Sequence, residues 1–120
     1  MEFTGNKAIY LQIAELLMDN ILSGALAEGE RMPSVREYAG EVEVNVNTVV
    51  RSFDWLAQRE VIFQRRGLGF FVNEGARDKV TALRRTEFFS EQLPQLFQSM
   101  QALDISIDEI VANYCELQKK

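Results

Sequence analysis

The chain has 120 residues, 47% of them hydrophobic and 26% charged, and a formal net charge of −5, which fits one compact domain, or a small domain with an appendage, in the cytoplasm. No apolar run approaches the ~18 residues of a membrane span, and the N-terminus lacks the basic and apolar regions of a signal peptide, so no membrane partner is expected. With no histidine, one cysteine and no phosphate-cradling glycine motif, the composition argues against an enzyme, a disulfide framework, a metal site or a cofactor.

The first predicted element is a helix over "NKAIYLQIAELLMDNILSG". Asn6 is its expected cap, Ile9, Ile13, Leu16, Leu17 and Ile21 recur at helical spacing, and Gly24 is a stop. "ALAEGERMP" reads as a loop. "SVREYAGEVEV" then opens on a capping box, Ser34 with Glu37, and carries Val35, Tyr38, Ala39 and Val42 as its apolar stripe.

The next stretch, "VNVNTVVRSF", is contradictory in itself. Its valines and its alternation suggest a strand, but its asparagines do not. Asn45 is a good N-cap, and from there Val49, Phe53 and Leu56 fall on one helical face while Asn47, Arg51, Asp54 and Gln58 fall on another, with Thr48 beside Arg51. A helix is therefore predicted. Two helices joined by a short turn make a helix-turn-helix with the second as recognition helix. "VIFQRR" and "GFFV" around "GLG" then read as a β-hairpin.

Beyond "NEGAR" the pattern is helical again. Pro94 either interrupts this helix or opens a new one, and a second capping box, Ser106 with Glu109, opens the last. Cys115 falls in the apolar pattern of that helix and reads as a buried, inert thiol. The expected architecture is mainly α with a small β-hairpin: a winged helix-turn-helix over residues 1–75, followed by a short C-terminal helical dimerisation unit over residues 76–120. So short a tail cannot enclose its own apolar groups and must cover them against the winged domain, a second copy of the chain, or both.

Across residues 8–72, "AIYLQI", "ILSGALAEGERMPSVREYA", "VNVNTVVRSFDWL" and "RRGLGFFV" resemble the GntR family of bacterial transcription regulators in order and spacing. The tail, "SEQLPQLFQSMQALDISIDEIV", is similar to that of the YtrA subfamily, in which a small helical unit makes the dimer. The resemblance implies a sequence-specific regulator, commonly a repressor, bound as a homodimer to a palindromic operator in double-stranded DNA. Larger subfamilies carry a ligand-binding domain for which the tail has no room, and a small-molecule effector stays an open partner. Met32, Val46, Gly40 and "REVI" depart from the family pattern, the last standing where a glycine usually precedes the wing.

Residue chemistry points the same way. Ser34 and Arg36 stand at a helix N-terminus suited to a phosphate. Asn45, Asn47, Thr48 and Arg51 occupy the first turns of the recognition helix, where Arg suits guanine and Asn suits adenine. Arg65, Arg66 and Gly67 form the wing tip, suited to the backbone or a narrow minor groove. Blander roles stand beside these: Asn45 as a cap alone, Arg51 as a surface partner of Glu41 or Glu43, and Arg65 with Arg66 as charges that blunt a sheet edge. In the tail, Phe88, Phe89, Leu93, Leu96, Phe97 and Met100 are the expected dimer seam. The charge balance is acidic: residues 1–75 hold seven Lys or Arg against eleven Asp or Glu, −4, and residues 76–120 hold six against seven, −1. This disfavours a polybasic, nonspecific DNA binder. It keeps in view a second reading, a protein-interaction module on a winged-helix fold without DNA binding.

Overall fold

A computed structural model describes residue 5 and residues 7–119; the first helix is capped at Ala8, without a side-chain bond, and not at the expected Asn6, which lies outside the described residues. The elements run α1 (Ile9–Ser23), α2 (Val35–Val42), α3 (Val46–Gln58), β1 (Ile62–Arg65), β2 (Gly69–Val72), α4 (Ala76–Glu87), a π-helical turn (Phe88–Gln92), α5 (Leu93–Leu103) and α6 (Ile107–Gln118). This is the mainly helical fold with a two-stranded hairpin that the sequence predicts. One compact unit extends to Leu83 and the second starts at Arg84, so the division falls within α4. No helix among the described residues is long and apolar enough to cross a membrane.

In the first unit the core is built on α1, α3 and the base of the wing. Ile13, Leu17, Val49, Phe53 and Leu56 are wholly buried and meet Val61, Ile62 and Val72. Phe53 is the joint of this core: its ring centroid lies 6.3 Å from that of Tyr38 on α2 and 5.2 Å, edge-on, from that of Phe70 on β2. Through that one side chain, α3 is packed against both α2 and the wing. The V-N-V-N stretch resolves as turn and helix, because Asn45 Oδ1 accepts the Asn47 N–H at 2.8 Å and α3 starts at Val46. Intrinsic β preference gives way to the burial of Val49 and Phe53. The turn is tight: Glu43 takes a left-handed conformation (φ 57°) and the Val44 N–H donates to the Ala39 carbonyl at 3.0 Å.

The hairpin pairs Ile62 with Val72 and Arg65 with Gly69 in antiparallel register. The segment read as a plain loop before α2 does more than connect. Arg31 bridges Phe71, the Met32 N–H donates to the Phe70 carbonyl and the Val72 N–H to the Glu30 carbonyl, so the outer edge of β2 is covered. Edge coverage of this kind blocks unwanted strand pairing. Glu28 ties the same loop to α4, its carboxylate accepting the Gly75 and Arg77 N–H groups at 2.9 and 3.2 Å. Those bonds hold its carboxyl below the usual range.

In the second unit Pro94 lies in the first turn of α5, directly after the π-helical turn; Gln92 and Leu93 keep right-handed helical dihedrals, so the helical path runs on through the turn that accommodates the proline. Ser106 and Glu109 form the expected capping box of α6. α6 contributes no buried residue, and this overturns the reading of Cys115 as a buried thiol: it is exposed. Helical periodicity identified an apolar stripe there but not what would cover it.

Candidate nucleic-acid interface

All nine predicted DNA-binding residues fall in the first unit, and all six predicted seam residues in the second. At the start of α2, Ser34 Oγ accepts the Glu37 N–H and Glu37 Oε1 accepts the Ser34 N–H, both at 3.1 Å. The Ser34 N–H donated to the carboxylate, and after it the Ser34 side chain, lower the Glu37 carboxyl pKa. The box leaves the Val35 and Arg36 N–H groups outside the helix's own ladder, and the Arg36 side chain is exposed. A phosphate approaching here meets the Glu37 carboxylate as well as the positive end of the helix.

On α3 the split between faces is sharp. Val49, Ser52, Phe53 and Leu56 are buried, whereas Asn47, Arg51, Asp54 and Gln58 are exposed and Thr48 is half-buried. Asn45 is spent as a cap through its Oδ1, so its amide nitrogen is the part that faces outward chemistry. Arg51 is not a loose surface side chain: its guanidinium carbon lies 3.9 Å from the Tyr10 ring centroid. Beside it, the buried Ser52 Oγ donates to the Tyr10 carbonyl at 2.7 Å.

The wing tip turns through Arg66, Gly67 and Leu68, closed by a Leu68 N–H to Arg65 carbonyl bond of 2.9 Å. Gly67 sits at φ 79°, a conformation an L side chain resists. Strand alternation puts Phe63, Arg65 and Phe71 on the sheet face opposite the buried Ile62 and Val72. There the Phe63 and Phe71 rings stack with centroids 5.7 Å apart, and the Arg65 guanidinium lies 5.8 and 5.6 Å from them. Arg31 joins this face. Its Nε lies 3.6 Å from where a Cβ would stand on Gly69, an ordinary contact distance, and it is the backbone of Gly69, at φ 101°, that favours glycine there.

Sequence reasoning passed over four of these residues. Ser52 had a signal, a hydroxyl in the buried phase of a helix. Val46 and Val50, 37% and 39% exposed, stand among the polar residues of α3 and offer apolar contact where only polar chemistry was sought. Arg31 gave no signal, because its place depends on pairing with β2. Among the described residues no group of His, Cys, Asp and Glu could hold a metal ion. Of the predicted seam residues, Phe88, Phe89, Leu96 and Phe97 are exposed, Leu93 is half-buried and Met100 is buried.

This geometry has close counterparts. Residues 9–72 match the model of the family described as bacterial regulatory proteins, gntR family. A crystal structure of a GntR-family transcriptional regulator from Bacteroides thetaiotaomicron superimposes with a TM-score of 0.83 at 47% identity, covering 92% of this chain and 97% of that one. The HTH-type transcriptional regulator YhcF of Bacillus subtilis is 35% identical over 101 residues, 79% of this chain and 83% of the relative. The HTH-type transcriptional repressor YtrA of the same organism is 29% identical over 102 residues, 85% of this chain and 78% of the relative.

Proposed function

The chain belongs to the GntR family of bacterial regulatory proteins, as a YtrA-like DNA-binding transcription regulator, and from that premise we propose that it represses its targets as a cytoplasmic homodimer on a palindromic operator. The observation that carries this reading is the two-faced α3. One flank is locked by Phe53 into the core, and the other presents Asn47 and Arg51 to solvent with the half-buried Thr48 between them. Such a helix fits the major groove, with its N-terminal residues at the base edges.

In this arrangement Arg51 reads a guanine through O6 and N7 and Asn47 reads an adenine through N6 and N7. Val46 and Val50 give apolar contact to thymine methyl groups. Asn45 mainly starts the helix, with its free amide a minor reader. Ser34 and Arg36 take a phosphate at the start of α2. Arg65, Arg66, Gly67 and Arg31 seat the wing on the backbone and fix the register. The exposed Phe88, Phe89, Leu96 and Phe97 support a second copy as partner, since a soluble monomer rarely leaves so many large apolar groups in water. Leu93 and Met100 back that seam. Two-fold symmetry then demands an operator of two inverted half-sites. The homologue named a transcriptional repressor supports repression as the sign of regulation.

Selection of bound duplexes from a random pool, followed by footprinting, tests the proposal. The expected result is an enriched inverted repeat protected at two half-sites about one helical turn or more apart. Equal affinity for every duplex at moderate salt overturns it.

A further inference from the structure

We propose that Tyr10, on α1, positions Arg51 for base reading and so sets part of the sequence discrimination of a helix to which it does not belong. The inference rests on the functional reading above. Two consecutive residues of α3 engage the same residue of α1: the Arg51 guanidinium covers the Tyr10 ring at 3.9 Å, and Ser52 Oγ donates to the Tyr10 carbonyl at 2.7 Å. Ser52 is wholly buried, and its hydroxyl, which also lies 3.1 Å from the Thr48 carbonyl, ties the Tyr10 backbone to α3. The ring under Arg51 is therefore carried by a backbone anchored to the recognition helix itself.

A guanidinium carbon 3.9 Å from a ring centroid is at stacking distance, and in a stacked pair the face is held while the N–H donors stay free along the edge. The edge is what a guanine recognises, so stacking and reading do not compete for the same atoms. An arginine free in solvent must give up rotamer freedom on entering the groove. One already stacked has given up most of it before DNA arrives, which favours the specific complex. Tyr10 contributes no donor to the base in this account; it acts through Arg51 and is a positioning residue.

The test uses the duplex that the unmutated protein enriches from a random pool, with a scrambled duplex of equal length as the nonspecific probe. Tyr10→Leu is expected to weaken dimer binding to the enriched duplex by about five- to thirty-fold, the scale of one surface cation–π contact in each of two protomers, and to change scrambled-duplex affinity by less than about two-fold. Tyr10→Phe restores the enriched-duplex affinity, because the ring remains. A ring-fluorinated phenylalanine at position 10 keeps the shape, depletes the π face, and behaves as the leucine variant does. It carries the test should Tyr10→Leu not fold. In an Arg51→Gln background the leucine change has no further effect on discrimination. Equal weakening of both probes, full affinity with the fluorinated ring, tighter binding, or an undiminished effect in the Arg51→Gln background each overturns the inference. An unmutated protein that enriches no duplex removes the functional reading itself; one that does, with Tyr10 variants unchanged, removes only the role of Tyr10.

Discussion

Glu60 closes α3 into the wing with φ at 61°, in the left-handed region that a side chain resists. An L residue there costs about 1–2 kcal/mol relative to the right-handed form, and glycine avoids that cost but gives up about 0.5–1 kcal/mol in backbone freedom on folding. Replacement also removes the Glu60 carboxylate from Lys79 Nζ, 3.4 Å away, in a pair whose glutamate side chain is 76% exposed. Such a surface pair contributes a few tenths of a kcal/mol, roughly. The backbone bonds survive, since Asn73 Nδ2 and Lys79 Nζ both donate to the Glu60 carbonyl. Glu60→Gly is therefore expected to stabilise the protein by about 0.5 kcal/mol, raising Tm by roughly 2–4 °C in a chain of this size. Urea unfolding and thermal melts at one fixed protein concentration measure it, because the stability of the proposed dimer would depend on concentration. Glu60→Ala is the control: it loses the lysine pair and keeps the strained backbone, so it gains nothing. A glycine variant less stable than the parent, or an alanine variant stabilised as much as glycine, refutes the backbone argument.

Acid should loosen the junction between the α1–α2 loop and α4. The Glu28 carboxyl is held below its ordinary value of 4.5 by the Gly75 and Arg77 N–H groups, so its stabilisation is present above that value and is lost as pH falls through the lowered one. In Glu28→Gln the acid limb of a Tm-against-pH curve should be flatter than in the parent; an unchanged limb means that other carboxylates dominate. If Val46 and Val50 meet thymine methyls, replacing individual thymines of the enriched duplex by uracil should weaken the parent by several-fold at one or two positions and leave Val50→Ala indifferent at one of them, by quantitative gel shift. Phe97→Glu places a charge in the proposed seam and should give a monomer by sedimentation, with operator affinity lost at concentrations where the parent binds. A stable Phe97→Glu dimer would move the seam elsewhere.

The parts of the fold legible in the sequence are those whose physics is local. Both capping boxes, the Asn45 cap and the apolar phase of α3 are set within a few residues, so spacing alone exposes them. What was not legible depends on partners distant in the chain. The Arg31 guanidinium at Gly69, Ser52 on the Tyr10 carbonyl and the bridge that turns a loop into an edge strand arise only once β2 and α1 are in place. Glu60 belongs to both groups. The departure from glycine ahead of the wing is visible in "REVI", but that the backbone keeps the glycine conformation is visible only in the fold.

A net charge of −5 looks unsuited to a polyanion, yet the sum hides where the acids are used. Glu28, Glu30, Glu37 and Glu109 each accept backbone N–H groups, at the start of α4, in the α1–α2 loop and at the starts of α2 and α6. Their charge is largely directed at the protein's own donors and helix dipoles. The arginines are used differently: Arg31, Arg36, Arg65 and Arg66 are exposed on α2, the wing and the strand beside it. Association with DNA depends on this local field more than on the total. If all four reach phosphates in each protomer of a dimer, eight neutralised phosphates give a log–log salt slope of about −7, with Arg51 spent on a base and adding little. Removing Arg66 should make the slope shallower by about 2 and weaken enriched and scrambled duplexes alike. A slope shallower than about −3 in the parent would mean that most of these arginines never touch the backbone. The wing would then be a capped sheet edge, and specificity would rest on α3 alone.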